Sequence, residues 1–208
     1  MKAADPRVSF AELQQWPDDG RRYELYDGEV IVAPTPFPRH QRVAMHIGEI
    51  LAGYERATGG IVFYVPIDIV FSEHNVLQPD VVFFRQERRH LIQMWEATRV
   101  RPDLAVEVLS RSTAVRDRGR KKDLLSRFGV PEYWIVDPVA NTLEIYVNDG
   151  GQFVLTNEYN ERSEVSSPGR LVGSGSSTRL TAPSISFEAA TIGRSRSVFL
   201  KTAARPSG

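Results

Sequence analysis

The chain of 208 residues contains no cysteine. This absence excludes disulfide bonds, thiolate metal sites and a cysteine nucleophile, and it is typical of proteins from a reducing compartment. Long apolar runs are also absent, because no stretch approaches the roughly 20 residues that a membrane-spanning helix needs. The first residues lack an apolar core of signal-peptide length. We therefore expect a cytoplasmic protein with no membrane partner.

An excess of charge of either sign is missing as well, since 26 Lys and Arg residues balance 26 Asp and Glu residues. No global field draws the chain onto nucleic acid, so any such attraction has to be local. Residues 85–127 carry 12 basic residues against 6 acidic ones. This local excess suits a surface that faces nucleic acid, although a solvated helical face would give the same count.

The hydrophobic pattern that is present predicts alternating strands and helices. Asp27-Gly28 is a strong turn signal and predicts a hairpin over 23–32. A helical period follows over 39–54 and ends at Gly59-Gly60. A second helix begins at Ser112 or Thr113 and runs to Phe128. The predicted strands cover 61–71, 76–84, 103–109, 133–136 and 143–147, the last as an edge hairpin.

This order of elements predicts an α/β (α+β) fold. It has a central mixed β-sheet flanked by helices, one on each face, and an N-terminal β-hairpin. We expect an N-terminal extension over 1–19, a single domain over 20–190 with its core at 20–147, and a flexible tail over 191–208. A Ser- and Gly-rich stretch at 163–178 predicts an exposed loop before a last apolar patch at 180–187.

Two carboxylates interrupt strands that are otherwise apolar. Asp80 interrupts the run 76–84, and Glu107 interrupts the run 104–109. A carboxylate on a core strand costs several kcal/mol unless it is paired or binds a metal. Two of them on neighbouring strands repel each other, which a divalent cation would reverse. A solvated or salt-bridged strand end is the alternative for either residue alone, but the two together favour a metal site.

Helix geometry adds a lysine to this pair. At 100° per residue, Lys121 falls in one sector with Asp117 and with three apolar residues that must face the core, namely Leu124, Leu125 and Phe128. An ammonium group on an inward face needs an anionic partner or substrate. Asp117, one turn earlier, is a possible structural partner of Lys121. The carboxylates upstream favour an active-site lysine instead.

Other side chains give weaker signals. His40 begins the apolar stripe of the first helix, from which it could reach the site. The other histidines lack ligand-like spacing, which argues against a zinc site. Asp68 is interpreted as structural, and Glu24 as part of the hairpin. No sequence context supports a serine hydrolase, a P-loop or a dinucleotide fold.

Several of these stretches together resemble the Uma-two type endonuclease family of bacteria, a branch of the PD-(D/E)XK nuclease superfamily. The similar stretches are the opening run 23–29, Gln78-Pro79-Asp80, the run 106–110 and the run 129–138. The resemblance is strong over residues 20–147 and loose beyond them.

The resemblance implies a restriction-endonuclease-like core that hydrolyses phosphodiesters with Mg²⁺ or Mn²⁺. Asp80 matches the first acid of the superfamily and Glu107 the second. The superfamily lysine usually follows the second acid by two residues, where this chain has Leu109. The family places that lysine on the following helix, and Lys121 matches it there.

The expected chemistry is metal-dependent cleavage of nucleic acid, with DNA favoured over RNA. Asp80, Glu107 and the Val108 carbonyl would hold the cation, with His40, Asp117 and Gln78 as secondary candidates. Arginines between 85 and 127 would bind phosphates. A homodimer would suit the cutting of two strands. The rival readings are a catalytically silent nucleic-acid-binding or scaffolding module and a metal-independent glycosidase with two carboxylates.

Overall fold

The structure is a computed structural model that describes residues 7–160 and the backbones of two further strands at 185–192 and 195–202. In chain order its elements are α1 (Phe10–Leu13), β1 (Arg22–Tyr26), β2 (Glu29–Ala33), α2 (Pro38–Thr58), β3 (Ile61–Phe63), β4 (Ile69–Ser72), β5 (Asn75–Leu77), β6 (Val81–Phe84), α3 (Gln86–Arg89), β7 (Leu104–Val108), α4 (Ala114–Arg116), a π-helical turn (Asp117–Lys121), α5 (Lys122–Arg127), β8 (Glu132–Asp137), β9 (Thr142–Asp149), β10 (Gln152–Tyr159), β11 (Ile185–Ile192) and β12 (Ser195–Thr202).

A six-stranded sheet in the order β10-β9-β8-β7-β6-β3 forms the centre of the fold. Strands β7 and β8 run parallel and their other neighbours run antiparallel, so the sheet is mixed as predicted. A second, antiparallel sheet has the order β2-β1-β5-β4. The chain therefore has the predicted α+β fold, with a second sheet that the sequence pattern did not indicate.

The central sheet carries a helix on each face, because its strands are apolar on both sides. Ile47 and Leu51 of α2 pack on one face with Val106 of β7. Leu124 and Leu125 of α5 belong to the core on the other face, which the second sheet shares. Both predicted helices are thus confirmed, and Gly59 ends α2 with a φ of 77°.

The predicted hairpin is also confirmed. Asp27 and Gly28 link β1 to β2 with φ angles of 50° and 87°. Positive φ at both positions is the type I′ turn that matches the twist of a two-stranded ribbon.

Two predicted strands are wrong in one respect, since each proves to be two strands in different sheets. The run 61–71 divides into β3 and β4, and the run 76–84 divides into β5 and β6. Pro79 contributes to the second break because it has no N–H to donate to a ladder. Gln78, Pro79 and Asp80 therefore form the junction between the two sheets.

The C-terminal part departs further from the prediction. Strand β9 is not at the edge, because β10 pairs with it and forms the edge instead. Strands β11 and β12 form an antiparallel pair, and β12 lies within the range predicted as a tail. The predicted loop at 163–178 lies outside the described residues, and the domain boundaries stay predictions. Within the described part of the chain, no helix combines the length and apolarity needed to cross a bilayer.

Candidate active site

Asp80 is the last residue of the junction between the sheets and lies directly before β6. The antiparallel register of β6 and β7, continued by one residue, makes Glu107 its cross-strand neighbour. One oxygen of Asp80 accepts a hydrogen bond from the Val108 main-chain N–H at 2.9 Å. His40 Nε2 lies 3.0 Å from the same oxygen. The structure therefore brings Asp80, Glu107 and His40 close together.

Lys121 connects this pair of strands to the helical segment that follows them. Its Nζ lies 2.5 Å from Glu107 Oε1 and 2.8 Å from Glu24 Oε1. The side chain is 2% exposed, and its two carboxylate partners are nearly as buried. Lys121 thus faces inward, as its position on the helix predicted, and lies between two carboxylates.

A π-helical turn rather than a regular α-helix presents Lys121. Gly119, in the middle of this turn, has non-helical backbone angles and marks a kink. Asp117 and Lys121 are both buried, whereas Arg120 is exposed. Four residues make close to one full turn in either kind of helix, so the predicted common face survives the kink. The cation nearest to Asp117 is Arg116, at 3.7 Å, and Lys121 pairs with the strand carboxylates instead.

Glu24 is the site residue that the sequence interpretation missed, because it was assigned to the hairpin. Its Oε1 accepts a hydrogen bond from the Gln78 main-chain N–H at 2.8 Å, and its Oε2 accepts one from the Tyr26 hydroxyl at 2.9 Å. The side chain is 1% exposed. The sequence does contain a signal for this burial. Side chains alternate along a strand, so Glu24 lies on the same strand face as Tyr26, which is fully buried.

Gln78 contributes to the site mainly through its backbone. Its carbonyl oxygen lies 3.4 Å from Lys121 Nζ and its N–H binds Glu24. Its side-chain amide donates to Asp68 at 2.7 Å, which fits the structural role predicted for that aspartate. Burial raises the pKa of Asp68. The junction residue Gln78 is therefore a link between two carboxylates of the second sheet and the lysine.

The ionisation of Glu107 and Lys121 reflects their crowding. Burial raises the pKa of Glu107 well above its ordinary range; Lys121 opposes this, and the charges of Asp80, Asp117 and Glu24 add to it. Burial disfavours the ammonium of Lys121, yet Glu107 and Glu24 hold its pKa well above the usual value. Lys121 therefore stays protonated at neutral pH.

Asp80 and Asp117 respond in opposite directions to the same surroundings. Burial works to raise the pKa of Asp80, but the hydrogen bond with His40, helped by the charge of Lys121, brings it below the ordinary value. Burial raises the pKa of Asp117, and Lys121 offsets only part of this effect. Asp80 and Glu24 are thus the two carboxylates of the pocket lining whose pKa values lie below the ordinary value.

An open pocket gives access to this cluster. Asp80, Lys121, His40 and Arg116 line it, together with the segment 33–37. The lining also includes three residues with hydroxyl groups, namely Ser110, Ser112 and Thr113. Glu107 does not line the pocket, but it contacts Lys121, which does. Asp80 and Lys121 are therefore part of the pocket wall, and Glu107 lies behind them.

The charges of the cluster can accommodate a divalent cation. Four buried carboxylates, Glu24, Asp80, Glu107 and Asp117, face only two permanent cations, Lys121 and Arg116. Ionised together, they leave a surplus of two negative charges. In the part of the chain that the structure describes, no group of three or more His, Asp or Glu side chains is arranged to hold a metal. Two carboxylates with a main-chain carbonyl suit Mg²⁺, which keeps several waters and binds few protein ligands.

The predicted basic surface over 85–127 is not continuous. Arg85, Arg88 and Arg89 follow β6, at the end of that strand away from Asp80. Arg99 pairs with Glu73, which follows β4, and Arg111 lies in the turn before α4. The other arginines after β7 lie on the helical segment 114–127. Most of them are occupied by protein partners. The observed pairs are Arg88 with Asp103, Arg99 with Glu73, Arg116 with Glu24, Arg118 with Glu144, Arg120 with Glu29 and Arg127 with Asp27.

Two arginines line the pocket. Arg22 donates to the Pro34 carbonyl at 3.4 Å, and Arg116 lies 3.8 Å from Glu24 and 3.7 Å from Asp117. Arg111 is exposed beside the pocket hydroxyls of Ser110 and Ser112. The cationic groups available to a ligand are therefore these few and not the whole predicted surface.

The comparisons with known proteins agree with this architecture. Residues 10–181 match the model of the Uma2 family, whose description is "Putative restriction endonuclease". The fold is similar to a crystal structure of a putative nuclease belonging to DUF820 from Anabaena variabilis. The TM-score is 0.63 at 18% sequence identity, with 77% of this chain and 89% of the other covered. No curated protein matches the chain.

Proposed function

Since the chain belongs to the Uma2 family, we propose that it is a nuclease that hydrolyses phosphodiester bonds of DNA with the help of a divalent cation. The observation that carries this proposal is the buried contact of Lys121 with Glu107 beside Asp80, at the base of a pocket. A lysine and two carboxylates at neighbouring strand positions are the groups that the resemblance leads us to expect. The structural neighbour, whose title calls it a "putative nuclease", has a similar fold.

Asp80 and Glu107, with the main-chain carbonyl of Val108, would hold Mg²⁺ or Mn²⁺. Such a cation, when bound, supplies Lewis acidity toward the phosphate and makes a water molecule more acidic. Burial favours the protonated form of Glu107, so Glu107 would have to lose this proton to bind the cation. The ionised carboxylate would then contact both Lys121 and the cation. His40 fixes the orientation of Asp80 by its contact at 3.0 Å.

Lys121 would act as a cation and not as a base. Its pKa lies well above the usual value, so the amine has no free lone pair at neutral pH. A fixed ammonium group in a water-poor site stabilises the negative charge that develops on a phosphoryl oxygen. Arg116 and Arg22 would bind flanking phosphates, which gives affinity that falls with salt and carries little sequence information.

A catalytically silent module is the second candidate, and one observation favours it. Glu107 does not line the pocket and its carboxylate is already bound to Lys121. A module of this kind would bind nucleic acid without cutting it. A homodimer and a cytoplasmic location stay predictions, and gel filtration with light scattering tests the first of them.

Plasmid cleavage separates the two candidates. Supercoiled plasmid is incubated with the wild type in Mg²⁺, in Mn²⁺ and in EDTA, beside Glu107→Gln and Asp80→Asn. These isosteric changes remove the ligand charges while keeping the shape of the site. Glu158→Gln is the matched control, because Glu158 is exposed on β10 away from the pocket. Cleavage that needs a divalent cation and disappears in the two site variants supports the nuclease, whereas binding without cleavage supports the silent module.

A further inference from the structure

Phe37 is an exposed aromatic ring at the edge of the candidate active site. Phe37 lines the pocket and is 74% exposed. It lies directly before α2 and precedes His40 by three residues, which is a rise of about 5 Å along the helix axis. Phe37 thus lies within one helical turn of the residue that contacts Asp80. A ligand held at Asp80 and Lys121 would meet this ring with its neighbouring parts.

The backbone around Phe37 is held rigid by its neighbours. Pro36 and Pro38 flank it, and Pro38 is the first residue of α2. A residue before proline is restricted to extended conformations, and Phe37 has φ −76° and ψ 157°. The backbone that carries the ring therefore loses little further conformational freedom when a ligand covers the ring.

Another part of the pocket lining is polar and suits a sugar-phosphate backbone. The Ser110 hydroxyl lies 3.1 Å from that of Ser112 and 3.0 Å from that of Thr113, and Arg116 lines the pocket with them. Hydroxyl and guanidinium groups are the usual partners of phosphate and sugar oxygens. The pocket lining therefore combines the aromatic residue Phe37, directly before α2, with hydrogen-bonding groups after β7.

From this division we infer that Phe37 is a stacking platform for a base next to the scissile phosphate. The site accordingly takes DNA with unpaired nucleotides: single strands, flaps or displaced bases. The inference rests on the proposed nuclease function. In a paired duplex each base face is covered by its neighbours, so only an unstacked base can lie on the ring. An enzyme of this kind needs one site per cut and no second subunit.

Binding of one oligonucleotide in two forms tests the inference. A fluorescein-labelled 12-nucleotide strand, alone or annealed to its complement, is titrated with the full chain in Ca²⁺, and fluorescence anisotropy gives the Kd. We expect the wild type to bind the single strand more tightly than the duplex. Phe37→Ala should weaken single-strand binding about 5- to 150-fold, the range for loss of one base–aromatic stack. Phe37→Trp should restore it, with quenching of the new indole on binding.

Trp95→Ala is the matched control, because Trp95 is 97% exposed and does not line the pocket. It should leave both Kd values unchanged, and thermal melting should show that every variant is folded. Equal single-strand Kd values for the wild type and Phe37→Ala would overturn the inference, as would a wild-type preference for the duplex.

Cleavage in Mg²⁺ keeps the two proposals distinguishable. If nothing is cut while single-strand binding still depends on Phe37, the proposed hydrolysis fails and the stacking platform stands. If duplex plasmid is cut equally well by the wild type and Phe37→Ala, the stacking platform fails and the hydrolysis stands.

Discussion

Replacing Lys121 by methionine tests whether the lysine is the charge that holds the site together. Methionine preserves the length and apolar stem of the side chain but removes the ammonium group. Two carboxylates, Glu107 at 2.5 Å and Glu24 at 2.8 Å, then remain in a buried site without their shared cation. The variant therefore isolates the electrostatic contribution of the lysine from its packing.

The loss of stability can be bounded from the burial of the three groups, none of which is more than 5% exposed at its side chain. Removing one partner of a buried ion pair costs about 3–5 kcal/mol, because the other charge stays uncompensated. Two carboxylates lose their partner here, so we expect a value in the upper part of this range at pH 8. Burial already raises the pKa of Glu107 in the wild type, and the loss of the neighbouring ammonium group should raise it further. The stability of the variant should therefore recover as the pH falls and Glu107 takes up a proton.

Urea unfolding followed by tryptophan fluorescence, at pH 8 and pH 5, measures both effects. Lys122→Met is the control, since Lys122 points out of the site and packs on the Tyr146 ring. A loss below about 1 kcal/mol, or the same loss at both pH values, would contradict this expectation. Either result would mean that the carboxylates find other partners once the lysine is gone.

Three further predictions concern other parts of the fold. Burial raises the pKa of Glu132 to about 7 from 4.5. Its contribution to stability is therefore full below pH 4.5 and is lost as the pH rises through 7. Glu132→Gln should reduce the decline in the free energy of unfolding between pH 5 and pH 8 by roughly 2.5 kcal/mol in urea titrations. His40→Ala removes the contact that orients Asp80. In the plasmid assay it should lower metal-dependent cleavage at least tenfold, with little change in melting temperature. An unchanged rate would show that the contact between His40 and Asp80 does not contribute to cleavage. Gly60→Ala should cost about 1–3 kcal/mol in thermal or urea unfolding, because its Cβ would lie 2.6 Å from the Phe84 carbonyl oxygen, and a neutral result would mean that the backbone shifts freely.

Local chemistry accounts for the elements that were predicted correctly. The turn at Asp27-Gly28 needs positive φ at two successive residues, which few other pairs supply. Helix α2 has apolar residues at helical spacing and a glycine at its end. These features depend on near neighbours in the chain, so a sequence pattern is sufficient to locate them.

The assignment of strands to sheets depends on distant contacts and was not predictable. A continuous apolar run such as 76–84 looks the same whether it stays in one sheet or crosses between two. The crossing at Gln78-Pro79-Asp80 is decided by the hairpin, whose Glu24 binds the Gln78 N–H across 54 positions of sequence. Pro79 hinted at a break but did not indicate a second sheet.

The residues that could carry chemistry follow from the sequence pattern. Asp80 and Glu107 interrupt apolar strands at a free-energy cost that the fold has to offset, and Lys121 lies on a face that must be buried, whether its helix is regular or contains a π-turn. The pairing of the charged groups with one another depends on the tertiary fold. This fold placed Glu24 on the lysine and His40 on Asp80, and it put Glu107 behind the pocket wall. Charge compensation in a buried site depends on distances of a few ångströms between elements far apart in the chain, and these distances are set by packing and not by spacing in sequence.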